Sequence, residues 1–306
     1  MRATIIIPTI RRLHSLANAL ASVMALDDHS QIEQLVVVDN DPLGTARLQV
    51  EMFAEAATFP VLWVHEPRPG VAFARNAGVA VATARYVAFL DDDETASPQW
   101  LNELLSVQAA TDADVVFGPI AGLAPDAPED IRPFIEAFFS RTGPKQDGIT
   151  DRIHGCGNSL LKRASALVGD APFDPSTNET GGEDDVLFTS LKAKGCTFAW
   201  AANAWVSEHA PVKRANMDYV LKRAFAYGQG PSQSAAHQGH WLGVARWMLV
   251  GLAQMLVFAL AALLSNIFAR PRYPNYLRRT YEGAGKLFWF SRLEPKFYGI
   301  HELEKH

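Results

Sequence analysis

The chain has 306 residues, 48% of them hydrophobic and 20% charged, which suffices for one large or two modest domains with a packed core and excludes global disorder. A net charge of −5 and a pI near 6.0 argue against a nucleic-acid partner. Two cysteines, Cys156 and Cys196, allow at most one bridge and give no sign of a disulfide scaffold or a CxxC metal site, so buried thiols in a reducing, cytosolic setting are expected. Met1-Arg2 leads straight into the strand-like run Ala3 to Ile7, with no pattern of a signal peptide. Pro8 is expected to stop that strand. Residues 12–25 then carry Leu13, Leu16, Ala17, Leu20, Val23 and Met24 at helical spacing. A second uncharged strand, 34–38, ends at Asp39-Asn40-Asp41. A helix through Phe53 and Ala57, a strand over 61–64 and an Ala-rich helix over 70–84 follow, with Gly78 as a weak point in that helix. The alternation predicts an α/β fold with a mostly parallel sheet covered on both faces.

The fourth strand, Tyr86 to Leu90, runs directly into Asp91-Asp92-Asp93-Glu94. Ligands bind at the C-terminal ends of strands in open α/β sheets. Four adjacent carboxylates repel one another unless something neutralises them. A Mg2+ or Mn2+ ion bound to a nucleotide diphosphate suits such hard oxygen donors, whereas a solvated acidic turn is the plainer reading. Further on, the pattern predicts a helix over 100–110 and a strand over 114–118. Residues 124–150, rich in Pro, Asp and Gly, read as a mobile loop or lid with a short helix at 134–139. A strand at 159–161, a helix at 186–194 after Gly181-Gly182-Glu183-Asp184-Asp185, one strand over 197–206 and a helix over 217–227 complete this part. Residues 247–269 contain no charge and are about long enough to cross a bilayer as a helix. Arg246, Arg270, Arg272, Arg278, Arg279 and Lys286 surround them, with Tyr273, Tyr276 and Trp289, a mixture suited to a headgroup region. Basic residues on both sides leave the orientation open, so a span, a re-entrant or surface-lying helix and a buried core helix all stand.

Five elements occur in one order: Ile7-Pro8-Thr9 with Arg11; Val38-Asp39-Asn40-Asp41; Gly70 to Gly78, including Arg75-Asn76; Phe89-Leu90-Asp91-Asp92-Asp93; and Glu183-Asp184. Together they resemble family 2 glycosyltransferases of the GT-A fold, over about residues 2–230. The resemblance implies a Rossmann-like, mostly parallel sheet in a domain of residues 1–230, and the composition beyond it suggests a membrane-associated helical region at 231–306. The resemblance also implies that Pro8, Thr9 and Arg11 wall the base and sugar, and that Asp39 and Asp41 lie in the nucleobase and ribose region; an Asx-turn closing the strand is the alternative for either. Arg75, with Asn76, matches an element placed near pyrophosphate; a salt bridge from Arg75 to the acidic strand end is the alternative, and both can hold. Asp91 takes the ribose role or stands behind the direct metal ligand, and Asp93 is that ligand. Asp92 fills the variable position, where strand alternation turns a side chain away.

Glu183-Asp184 matches the element whose aspartate is the catalytic base. Inverting transfer needs one carboxylate to take the proton of the acceptor hydroxyl. Asp184 is the expected base, Asp185 the alternate and Glu183 the neighbour that sets it; capping of a helix N-terminus is the plainer role. His209 matches a position that touches metal or diphosphate in some members, and Asn158 one that orients donor sugar or acceptor, with a turn as the alternative. The resemblance implies Mg2+ or Mn2+ and a nucleotide-sugar donor (UDP-linked), and the hydrophobic C-terminal helix suggests a lipid-linked or glycan acceptor at the cytoplasmic face of the cell membrane. The QxxRW element of processive synthases is absent, which favours single addition. A sugar nucleotidyltransferase is the competing enzyme class, but residues 8–12 hold no glycine for a triphosphate loop. A non-catalytic nucleotide-sugar-binding membrane protein is the third reading.

Overall fold

Uncharged strands demand burial on both faces, and the computed structural model, which describes residues 1–268 and 270–297, provides it. In chain order, β1 (Ala3–Thr9), α1 (Leu13–Met24), β2 (Ile32–Asp39), α2 (Arg47–Ala56), β3 (Val61–His65), α3 (Val71–Val81) and β4 (Tyr86–Phe89) build the first half by strand-helix alternation. Then come β5 (Glu94–Ala96), α4 (Trp100–Thr111), β6 (Val115–Phe117), β7 (Ile120–Leu123), α5 (Arg132–Phe139), β8 (Gly148–Ile149), β9 (Ser159–Lys162), α6 (Arg163–Ala166) and α7 (Glu183–Ala193). The chain continues through β10 (Phe198–Trp200), β11 (Val206–His209), α8 (Met217–His237), α9 (Trp241–Phe268) and α10 (Tyr273–Leu287). The main sheet has the order β3-β2-β1-β4-β9-β6-β10-β8. Strands β3, β2, β1 and β4 are parallel, β9 runs antiparallel between β4 and β6, and β10 lies parallel to β6.

Adjacent residues of each strand serve opposite layers. Ile5, Ile7, Leu35 and Val37 pack with Leu16 and Leu20 of α1 and Trp100 and Leu104 of α4. Ile6, Val36, Val38 and Phe89 pack with Ala72 and Ala74 of α3 and Phe188 and Leu191 of α7. Gly78 weakens α3 in isolation but is what lets the helix approach β1: a Cβ there would lie 2.6 Å from Ile6 Cγ2. Pro8 does not end β1, because the ladder to β4 stops at Ile6 and the missing N–H faces that vacated side. The single strand expected over 197–206 is two, split by the turn in which the Ala204 N–H bonds to the Ala201 carbonyl. Alanine and asparagine in Ala201-Ala202-Asn203-Ala204 favour that break.

Two compact units divide the chain. The first comprises Met1–Ala121, Ser140–His209 and Phe297; the second comprises Gly122–Phe139 and Ala210–Lys296. Helix α8 runs unbroken through residues 230–231, where the sequence suggested a boundary, and extends ten residues beyond the predicted end at Tyr227. Packing overrides propensity there. A Cβ at Gly228 would lie 2.2 Å from the Glu282 carbonyl of α10, and one at Gly285 would lie 2.0 Å from the Phe225 carbonyl. The segment expected as a mobile lid is held in place. Ile135 of α5 packs with Ala124, Ala127, Ala210 and Val220 in the second unit. In the first unit Gly143 lies against the Trp200 ring, Trp200 Nε1 donates to the Pro144 carbonyl at 2.9 Å, and β8 pairs with β10. Both cysteines are free thiols.

Candidate active site

Strand β4 ends at Phe89, and the chain then turns: the Glu94 N–H bonds back to the Asp91 carbonyl at 3.0 Å. Strand alternation therefore does not govern Asp91, Asp92 and Asp93. Asp92 does not turn away. Its buried carboxylate accepts from Thr9 Oγ1 at 2.7 Å and from Arg12 Nη1 at 3.0 Å. The same Arg12 nitrogen donates to Asp93 Oδ2 at 3.1 Å. Burial, together with the charge on Asp93, pushes Asp92 up to about 6 despite Arg12. Glu94 Oε2 accepts the Asp91 N–H at 3.0 Å, and burial beside Asp91 and Glu208 raises Glu94 well above the usual carboxylate range.

Arg75 joins two acidic clusters that are far apart in sequence, Asp91–Glu94 and Glu183–Asp185. Its guanidinium, 4% exposed, donates through Nη2 to Asp91 Oδ1 at 3.1 Å and through Nη1 to Glu183 Oε1. This is the salt bridge foreseen as the alternative role for Arg75, and it reaches one cluster further. Burial pushes Glu183 up to about 7, with Arg75 opposing and Asp184 reinforcing the shift. Glycines at 181 and 182, with φ of 81° and 93°, turn the chain into α7, so that Glu183, Asp184 and Asp185 occupy its first turn. The helix dipole favours their negative charge. Asp184, half-buried, accepts the Cys156 N–H at Oδ2 (3.0 Å) and the Asp185 N–H at Oδ1 (2.9 Å); Asp185 itself is exposed.

The segment Gly155-Cys156-Gly157 threads between the clusters. A Cβ at Gly157 would lie 2.7 Å from Asp91 Oδ2 and 2.8 Å from Glu94 Oε1, and one at Gly155 would lie 3.2 Å from Asp184 Oδ2. Arg141 fastens this segment by donating to the Gly155 carbonyl at 2.7 Å and to the Gly157 carbonyl. Its charge faces Glu94, Glu208 and Asp91. Burial pushes the Cys156 thiol up.

Several expected ligand contacts are occupied by the framework. Asp39 and Asp41 are fully buried. Asp39 accepts the N–H groups of Asp41 (3.2 Å) and Ala46 (2.7 Å), and Asp41 accepts Thr45 Oγ1 (2.8 Å) and Arg11 Nε (3.1 Å), so the turn-closing role accounts for both. Asn76 exchanges hydrogen bonds with the backbone of Phe173, at 2.8 and 3.0 Å. Asn158, fully buried with φ 51°, accepts Trp100 Nε1 at 2.7 Å and donates to the Pro119 and Ala204 carbonyls at 2.7 and 2.8 Å. Its amide knits the core. Pro8 is half-buried beside Thr9. The His209 N–H donates to the Asp93 carbonyl at 2.8 Å, yet its exposed ring sits with Nε2 3.3 Å from Thr95 Oγ1.

Arg12 and Arg141 were not legible as site residues. Arg11 has φ 53°, a left-handed turn that no local residue pattern marks. Arg141 lies in a turn-rich stretch with no periodicity.

Among the described residues no three His, Cys, Asp or Glu side chains converge as a metal cage. Asp91 and Asp93 nevertheless supply hard oxygens. A Mg2+ or Mn2+ ion is commonly held by one or two carboxylates, with water and substrate phosphates completing the shell. The donor set therefore fits a cation that arrives with a diphosphate and does not fit a permanent structural ion.

Residues 4–167 match the family described as "Glycosyl transferase family 2". The chain is 34% identical over 273 residues to the succinoglycan biosynthesis protein ExoM of Rhizobium meliloti (strain 1021), covering 88% of this chain and 84% of ExoM. It is 24% identical over 284 residues to the glycosyltransferase AglE of Haloferax volcanii, covering 92% of this chain and 86% of AglE. Among solved structures it is similar to the mannosyltransferase PcManGT from Pyrobaculum calidifontis in complex with GDP-Man and Mn2+. The TM-score is 0.64 at 19% identity, over 94% of this chain and 87% of PcManGT, a likeness of fold. The sheet order, the carboxylates at the end of β4 and these relationships agree, and they decide against a nucleotidyltransferase: the chain belongs to glycosyl transferase family 2, has the GT-A fold and is a glycosyltransferase.

Proposed function

We propose that the protein is an inverting enzyme that moves a sugar from a nucleotide-diphosphate donor, UDP-linked, to a hydroxyl of a lipid-linked or polysaccharide acceptor at the cytoplasmic face of the membrane. The observation that carries this reading is the Arg75 bridge, which joins Asp91 and Glu183 and so puts both carboxylate clusters at one site. Asp184 is the base. Two backbone N–H groups hold its carboxylate in place at the N-terminus of α7, and it takes the acceptor proton as the hydroxyl oxygen attacks the anomeric carbon opposite the departing diphosphate. Glu183, held by Arg75, fixes the start of α7 and so the position of Asp184 beside it.

Asp93, with Asp91, would hold a divalent cation, which when bound would neutralise the charge developing on the nucleoside diphosphate. Arg12 sets the position of Asp93 and fixes Asp92, while Thr9 and Pro8 line the donor side. His209 borders the same strand end. The name of ExoM supports a glycan acceptor, and the GDP-Man and Mn2+ in PcManGT support a nucleotide-sugar donor with a divalent ion. The membrane setting is supported by α9, whose residues Trp241–Asn266 are long and apolar enough to cross a bilayer. The test is transfer of radiolabelled sugar from UDP- and GDP-linked donors to membrane acceptors. Asp184→Asn lowers kcat by about 100- to 10,000-fold while nucleotide binding persists. Unchanged turnover removes Asp184 from the base role.

A further inference from the structure

Helices α9 and α10 pack antiparallel along the middle of α9 with their backbones in contact. A Cβ at Gly251 would lie 2.6 Å from the Gly283 carbonyl, and one at Gly283 would lie 2.6 Å from Met255 N. Gln254, midway along the apolar stretch, donates to the Arg279 carbonyl at 3.0 Å and accepts from Lys286 Nζ at 3.0 Å. The Arg279 guanidinium covers the Phe258 ring at 5.0 Å, and Arg278 pairs with Glu282 on the same short helix. If α9 crossed a bilayer, residues 251–258 would lie near its centre and carry Arg278, Arg279, Glu282 and Lys286 there with them. Charges in that position are strongly disfavoured. With 15 residues, α10 is about 22 Å long, short of the ~30 Å hydrocarbon thickness, so it cannot carry its charges to the far side. A re-entrant hairpin fails for the same reason, because Arg272 stands at the turn that would form its tip.

The opposite side of α9 is apolar and open. Leu249, Leu256 and Leu263, seven residues apart on one face, are 69%, 59% and 62% exposed, and Leu252 and Leu260 extend the stripe. Trp241, Phe288 and Phe290 add exposed aromatic rings of the kind that settle at headgroup level. Residues 241–297 contain eight basic and two acidic side chains, a net +6 in a chain whose total is −5. That concentration of positive charge beside an apolar face fits an anionic lipid surface.

We infer that α9 lies in the plane of an anionic bilayer surface, its leucine face sunk among the acyl chains and α10 on the water side, and does not span the membrane. The inference rests on the membrane setting proposed above and decides its geometry. Flotation of the full chain with vesicles of phosphatidylcholine alone, or with phosphatidylglycerol added, tests the setting. Binding is expected to need the anionic lipid, and Arg272→Ala or Arg292→Ala each lowers it about fivefold. No flotation in either lipid, or a dimer in sedimentation that hides the leucine face, defeats the setting and the inference together.

The geometry is read separately. A fluorophore on Leu249→Cys, Leu256→Cys or Leu263→Cys, in a Cys196→Ser background, is quenched by nitroxide lipids labelled at two acyl depths. An in-plane helix gives the three probes the same shallow depth, whereas a span separates successive probes by about 10 Å. Unsubstituted protein gives an independent reading: alkaline carbonate releases an in-plane helix from membranes. Flotation combined with graded probe depths, or retention through carbonate, leaves the membrane setting intact and overturns the in-plane inference alone.

Discussion

Replacing Arg75 by methionine tests the bridge between the two acidic clusters. The apolar stem survives, but Glu183 and Asp91 lose their shared cation. Arg75 and Glu183 are both about 4% exposed, so this removes one partner of a buried pair, a change that costs roughly 3–5 kcal/mol. The loss depends on pH in a direction that follows from Glu183. Its carboxyl ordinarily titrates at 4.5 and is pushed up to about 7 in the folded protein. Below 4.5 both folded and unfolded chains hold the proton. Between 4.5 and 7 only the folded chain holds it, so the native protein loses up to about 3 kcal/mol as pH rises through that window. Without Arg75 the carboxyl rises further and the decline continues above 7. Arg75→Met is therefore expected to show at pH 5, where Glu183 is neutral in both proteins, less than half of the deficit it shows at pH 8. Guanidinium unfolding followed by tryptophan fluorescence suits the measurement, because Trp100 and Trp200 are fully buried. Glu183→Gln in the Arg75→Met background is expected to recover part of the pH 8 loss. An equal deficit at both pH values, with no recovery in the double variant, refutes the reasoning.

Three further outcomes follow from the packing and the donor set. Gly78→Ala improves helix propensity by about 1 kcal/mol but drives a methyl to within 2.6 Å of Ile6 Cγ2, so overpacking of about 1–3 kcal/mol gives a net loss of stability; a raised Tm contradicts this. Asn158→Ala strands Trp100 Nε1 and the carbonyls of Pro119 and Ala204 and is expected to cost about 3 kcal/mol or more in thermal or chemical unfolding. A variant as stable as the parent removes Asn158 from the framework. Chelation with EDTA is expected to abolish sugar transfer, reversibly on adding Mn2+ or Mg2+, and to leave Tm unchanged because no cage of three ligands is found among the described residues; activity that survives chelation contradicts the metal role.

The first half of the fold was legible because its signals are local. Runs such as Leu35 to Val38 carry no charge, and both of their faces are buried. The failures came where distant residues decide. Pro8 continues a strand because its neighbouring ladder ends early, and Gly228 continues a helix because α10 leaves no room for a side chain. The site divides in the same way. Asp91, Asp93, Glu183 and Asp184 stand out as acidic clusters at element ends, and Arg75 brings them together. Whether a polar residue faces a ligand or the framework is not written in its local pattern. Asn76 and Asn158 sit in motif positions, yet each is taken up by chain segments remote from its own. Arg12 and Arg141 reach the carboxylates through turns that composition does not mark.

The most direct measurement is a structure of the protein with a nucleotide diphosphate and Mn2+. The cation is expected within about 2.2 Å of an Asp93 carboxylate oxygen and of the diphosphate, with the Asp184 carboxylate across the sugar pocket from it. A diphosphate and cation bound away from the end of β4, or an Asp184 with no path to the sugar, contradicts the account.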